Sequence, residues 1–233
     1  MLIVAREAGV ATLTLDRPER GNALGPALVE ALIAEVTRAV QDGAVHTLVL
    51  RGAGKHFCTG LDLSGLENLS DGELLLRLVR IEALLAMLWH APLRSVAVAQ
   101  GRAWGAGADL FAVCEHRVAA PDTVFRFPGA QFGIVLGTRR LAERIGVDAA
   151  RRLVLEGGEL DAAQAHAAGL VGWVGSLPAL AEPLVPGPTA QAIRAASRAD
   201  LRDADLAALV RSAAVPGLAQ RISHYRERQL ARR

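Results

Sequence analysis

Apolar residues recur along the chain on two periods. Between positions 25 and 43, "GPALVEALIAEVTRAVQDG", Leu28, Leu32, Val36 and Val40 return every four residues and Ile33 widens the stripe, which predicts an amphipathic helix. Pro26 suits its first turn and Gly43 its exit. "GVATLTLDRPE" alternates on the shorter period and predicts a strand over 10–15, stopped by Pro18. "VHTLVLRG" predicts a strand over 45–50, and "SVAVAQG" a buried one. Between them "ELLLRLVRIEALLAMLWHAP" reads as a helix stopped by Pro92.

Further along, "HRVAAPDTVFRFP" predicts short strands over 117–119 and 124–127. "TRRLAERIG" and "VDAARRLVLEG" predict two short helices parted by Gly146. "DAAQAHAAGLVGWV" predicts a helix capped by Asp161 and ended by Gly169, then a strand. From Thr189 the pattern is helical, with "PGPT" as a hinge. Alternating strands and helices imply an α/β core, expected over 1–187, followed by a helical segment over 188–233. There is no internal repeat or low-complexity stretch.

Composition narrows the function classes. The 233 residues suit one domain with a small appendage, and half are apolar. The net charge of +2 comes from arginines, Lys55 being the sole lysine, and no Arg-rich run is interleaved with aromatics. Nucleic-acid binding is therefore not expected. Cys58 and Cys114 stand far apart, outside any CxxC or metal-ligand cluster, as expected of reduced thiols in a cytoplasmic protein. "MLIVAREAGVATLTL" reads as a strand and not as a signal peptide, and no membrane span is expected.

Two loops rich in small residues carry the candidate chemistry. "RGAGKHFCTGLDL" follows one strand; "GRAWGAGADLFAVCEH" follows another and opens a helix. Neither has the spacing of a dinucleotide fingerprint or a P-loop. Bare backbone at a strand-to-helix turn instead offers N–H groups to an oxygen that becomes anionic during reaction. Small residues let a carbonyl approach. Asp109, three residues after Ala106, can lean back over that turn as an acid or base. It could equally be a carboxylate favoured by the helix dipole alone.

"ERGNAL", "GAGKHFCTGLDL", "GRAWGAGADL" with "CEHRVAAPDTVF", and "FRFPGAQFGI" occur in an order and at separations that resemble the crotonase superfamily, the enoyl-CoA hydratase/isomerase family. The resemblance implies an α/β fold, a crotonase-like ββα spiral core with a C-terminal helical region. It also implies a homo-oligomer, a trimer or a dimer of trimers. The ligand implied is an acyl-CoA thioester, with no cofactor beyond the coenzyme A of the substrate. The thioester oxygen would be held by the N–H groups of Leu61, after Gly60, and of Ala106, after Gly105, with Asp109 as acid/base. Asp62 would fix its loop. Asn22, Ala23, Leu24, Lys55 and Phe57 would border the CoA moiety, and Trp104 would line the acyl pocket. Arg221, Arg226 and Arg228 would be candidates for the CoA phosphates.

One position departs from that pattern. The family's second acid follows the proline of an "FxxPE" motif; here "FRFPG" puts Gly129 there. The loop "GIVLGTRRL" is also shorter than the usual glycine-rich turn, and Arg126, Arg139 and Arg140 crowd the region as surface or CoA-facing charge, the alternative being a role in holding an acidic acyl group. The expected reaction is hydration or double-bond migration of an enoyl-CoA. Thioester hydrolysis, decarboxylation and a non-catalytic acyl-CoA-binding scaffold remain alternatives, because one acid is missing.

Overall fold

The computed structural model describes residues 1–179 and 184–231, so positions 232 and 233 of the expected C-terminal segment lie outside the described residues. In chain order the strands are β1 (Leu2–Glu7), β2 (Val10–Leu15), β3 (Thr47–Gly52), β4 (Arg94–Ala99), β5 (Arg102–Trp104), β6 (His116–Ala119), β7 (Val124–Arg126), β8 (Glu159–Asp161) and β9 (Trp173–Val174). The helices of the first part are α1 (Pro26–Gln41), α2 (Asp71–Trp89), α3 (Ala106–Ala112), α4 (Thr138–Ile145), α5 (Val147–Glu156) and α6 (Ala162–Ala167). Those of the helical tail are α7 (Gly187–Ala196), α8 (Arg202–Ala213) and α9 (Leu218–Leu230). No described helix is long and apolar enough to cross a membrane.

Six strands form one sheet in the order β1-β2-β3-β4-β6-β9; β5, β7 and β8 form a second. The first pair is antiparallel and the rest of the large sheet is parallel, with helices in the crossovers. β3 is buried from Thr47 to Leu50, as expected of a strand covered on both faces.

The sequence expectation differs at several places. The N-terminal run is a hairpin, because Ala8 and Gly9 both take positive φ and turn the chain between β1 and β2. In α1 the buried face is Leu28, Val29, Leu32, Val36 and Ala39, while Val40 is 40% exposed. The helix repeats every 3.6 residues, so a strict four-residue spacing drifts and Val40 lies about 120° around the axis from Leu28. β5 and β8 went unpredicted, since three residues are too few to show alternation. Asp161 does cap α6, in a reciprocal pair with Gln164.

Arg139 and Arg140 are not surface charge. Arg140 is buried in α4, where Nη1 donates to Glu82 of α2 at 3.0 Å and Nη2 meets both Glu82 and Asp205 of α8, the latter at 3.0 Å. Arg139 donates to Asp205 through Nε at 2.8 Å and Nη2 at 2.6 Å. The bidentate Arg139–Asp205 pair and the single Arg140–Asp205 contact thus tie the helical tail to α4, while the bidentate Arg140–Glu82 pair joins α4 to α2. The forked geometry offsets the desolvation of buried charge. Glu82→Ala, which removes the buried bidentate partner of Arg140 and leaves it only the Asp205 contact, is expected to lower the unfolding free energy by up to about 3 kcal/mol, read from urea denaturation.

Candidate active site

The two small-residue loops meet backbone to backbone. Cys58 N–H donates to the carbonyl of Arg102 at 3.2 Å and Trp104 N–H to the carbonyl of Cys58 at 3.0 Å, so Cys58 pairs with Ala103 like one rung of a parallel ladder. A Cβ at position 107 would collide with the Cys58 carbonyl, which is why glycine stands there. Gly60 takes φ +92°, and a Cβ there would lie 2.7 Å from the Trp104 carbonyl and 3.3 Å from the Ala106 nitrogen. Leu61, next after Gly60, and Ala106, first residue of α3, therefore adjoin on one wall of a cavity of about 490 Å³.

Several backbone N–H groups around these two residues are paired, while those of Gly107 and Ala108, in the open first turn of α3, are not paired among the described residues. Thr59 N–H donates to Gly21, Asp62 N–H to Leu24 and Gly105 N–H to Arg126. Among the described residues no acceptor is recorded for the Leu61 or the Ala106 N–H. Two unpaired donors side by side on a cavity wall can receive one oxygen.

The candidate residues divide into three groups. Gly60, Leu61, Trp104, Gly105 and Ala106 line the cavity. Asn22, Ala23, Leu24, Phe57 and Asp62 are buried behind it and shape the loop. Asn22, at positive φ, donates its amide to the carbonyls of Ala53 and His56 at 2.9 and 2.7 Å and accepts from Arg17 N–H, which fixes the 53–57 turn. Leu24 holds the Gly60–Asp62 segment by two backbone bonds. Phe57 packs edge-on against Phe111 of α3. Burial pushes the Asp62 carboxyl upward, but bonds from Ser64 and Arg17 outweigh it and hold it below the usual range. Lys55 alone is exposed, at the tip of the loop.

Asp109 does not line the cavity. It is buried in α3, its Oδ1 has no hydrogen-bond partner, and the Gly137 turn lies directly over it, where a Cβ would collide with Oδ1. Burial raises its pKa well above the ordinary value; the Arg140 charge opposes the shift and the Glu82 charge adds to it. Gly129 does line the cavity, and a Cβ there would sit 3.2 Å from the Ile134 carbonyl. The Ile134 N–H donates to the Gly129 carbonyl at 2.9 Å, which holds this loop against the residue. Both thiols are buried, which pushes Cys58 and Cys114 up to about 12 and leaves little thiolate at neutral pH.

Sequence reasoning assigned no place on this wall to several residues that line it. Leu78 comes from α2, Phe132 and Ile134 from the loop after β7, and Tyr225 from α9, its ring 5.1 Å from that of Phe132. Arg102 and Arg126 also line it, their guanidinium carbons 4.4 and 5.0 Å from the Trp104 ring centre. The i, i+2 placement of Arg102 and Trp104 on one strand was the available signal for Arg102. Arg226 of α9, considered above for CoA phosphates, lines the cavity too, whereas Arg221 bonds to the carbonyls of Phe132, Val215 and Pro216.

The buried Asp109 carboxyl has a stability signature. Its native pKa lies above the unfolded one, so its contribution is fully present below pH about 4 and is lost as pH rises through the native value. Asp109→Asn is therefore expected to melt close to the wild type at pH 4 and progressively above it as the pH rises beyond the ordinary carboxyl range, read from thermal melts. A difference that stays constant with pH would contradict the assignment.

Residues 5–204 match the family model described as Enoyl-CoA hydratase/isomerase. The "Probable enoyl-CoA hydratase echA6" of Mycobacterium bovis is 36% identical over 180 residues, covering 76% of this chain and 72% of that protein. A Bordetella parapertussis structure described as an enoyl-CoA hydratase/isomerase superposes with a TM-score of 0.90 at 41% identity, covering 96% and 97% of the two chains. The enoyl-CoA hydratase structure from Bacillus halodurans, at 18% identity and a TM-score of 0.81 over 96% of this chain and 99% of that one, shares the fold. With its sheets, helical tail and paired small-residue loops, the chain belongs to the enoyl-CoA hydratase/isomerase family of the crotonase superfamily.

Proposed function

We propose that this protein binds an acyl-CoA, polarises the thioester carbonyl between the Leu61 and Ala106 N–H groups, and carries out enolate chemistry of the hydratase/isomerase type with Asp109 as acid/base. The observation that carries the reading is the pair of unpartnered amides adjoining on one cavity wall. Such donors stabilise the charge that develops on the thioester oxygen when a proton leaves the neighbouring carbon, and one donor contributes about 3–4 kcal/mol.

Double-bond migration asks for fewer groups than hydration, although the family's single-base isomerases usually keep the acid that Gly129 replaces. Migration needs one group that removes a proton and returns it two carbons away. Hydration needs a second group to activate water, and Gly129 supplies none. A carboxyl with a raised pKa is a stronger base when ionised and remains a proton donor nearer neutral pH. Reaching the acyl group requires the Gly137 turn to shift from its place over Asp109. A second reading, thioester hydrolysis or decarboxylation, is favoured by Gly129 and by the lack of Asp or Glu among the described residues of the cavity lining.

Ala106 occupies the first position of α3, where proline fits the helix and sacrifices no intrahelical bond. Ala106→Pro is expected to lower kcat about 10²–10³-fold while the fold persists by circular dichroism. Asp109→Asn is expected to lower kcat about 10²–10⁴-fold. Mass analysis of a panel of enoyl-CoAs distinguishes unchanged mass on migration from addition of water, release of carbon dioxide or release of free CoA. Unchanged turnover of every accepted acyl-CoA by Asp109→Asn would remove Asp109 from the mechanism.

A further inference from the structure

The cavity wall beyond the paired amides is cationic. Arg102 and Trp104 project from β5, and Arg126 of β7 is the register partner of Trp104. Both guanidinium groups lie against the Trp104 ring. Arg226 lines the same cavity from α9. Among the described residues Arg102 and Arg226 have no carboxylate partner. Arg126 has only Glu159, at 3.0 Å, whose side chain is 52% exposed and whose hold is correspondingly weak. The Trp104 Nε1–H is buried without an acceptor. Cationic charge thus gathers on a wall whose described residues include no Asp or Glu.

We propose that this wall selects acyl groups that carry a carboxylate of their own, so that the preferred ligand is an acyl-CoA with an anionic acyl end. The inference rests on the acyl-CoA reading above and names its substrate class. A guanidinium presents parallel N–H groups that match a carboxylate, and stacking on Trp104 holds the two forks in place. Position in the cavity favours the acyl carboxylate over the CoA phosphates. Trp104 lies two residues before Ala106, a backbone reach of at most about 7 Å. With the thioester carbonyl at the amides, the whole pantetheine arm separates it from the phosphates.

Calorimetric titration of the purified protein with adipyl-CoA, hexanoyl-CoA and free CoA tests this. The two acyl chains are saturated and equal in length, so binding is read without turnover. The wild type is expected to bind adipyl-CoA at least tenfold more tightly than hexanoyl-CoA. Arg102→Gln and Arg126→Gln are expected to reduce that ratio to near one, with melting temperatures confirming that both variants fold. Equal wild-type affinities would overturn the proposal. So would a loss of affinity of the same factor for all three ligands, which would mark a phosphate contact. Absence of binding by all three would overturn the acyl-CoA reading itself, whereas hexanoyl-CoA binding without a preference overturns the carboxylate selection alone.

Discussion

The site depends on a single close contact between two stretches of main chain. Cys58 and Ala103 pair across a one-rung ladder, and the absence of a side chain at Gly107 lets α3 start against the Cys58 carbonyl. Where strand-like pairing ends, at Gly60 and Gly105, the next amides on each side have no partner left. Unpaired backbone donors are costly in a protein interior, and here a cavity accommodates them. The donors follow from the packing of two loops and need no particular side chain, which is why Leu61 and Ala106 look unremarkable as residue types.

Everything around that contact holds it still. Asn22 is fully buried and spends its amide on the carbonyls of Ala53 and His56, while Leu24 takes both sides of the Gly60–Asp62 segment. Phe57, Phe111 and Phe125 pack in a row beneath. At the far end of α3, Arg117 and Arg144 donate to the carbonyls of Cys114 and Ala112, satisfying groups the short helix leaves open. Burial lowers the Arg144 pKa to about 9, so this support itself carries a desolvation cost.

Beside the apolar core behind the site lies an ionisable cluster. Asp109 faces the Gly137 turn with an unpartnered oxygen, and Glu82, Arg140, Arg139 and Asp205 link α2, α4 and α8 around it. Clusters of this kind rarely maximise stability. Burial is what raises the Asp109 pKa, with Arg140 opposing and Glu82 adding to the shift, and the cluster connects that carboxyl to the helical tail that also supplies Tyr225 and Arg226 to the cavity.

The sequence by itself determined the α/β class, most of the longer elements, the Asp161 cap and the two loops, because these depend on local periodicity and on residues with restricted conformations. The resemblance to the family, set against "FRFPG", marked Gly129 as standing where that family has an acid. What only the tertiary structure decided were contacts between distant segments. Asn22, Leu24 and Phe57 form the buried frame of the loop, Arg140 lies in the interior beside Glu82, and Asp109 is covered by a turn 28 residues further on, at Gly137. Short strands such as β5 leave too few residues for a periodic signal, so the i, i+2 spacing of Arg102 and Trp104 was the one trace of their stacking, and that of Arg126 on Trp104, across two strands, had none. Burial and pairing are properties of neighbours in space, and the one-letter order records only neighbours along the chain.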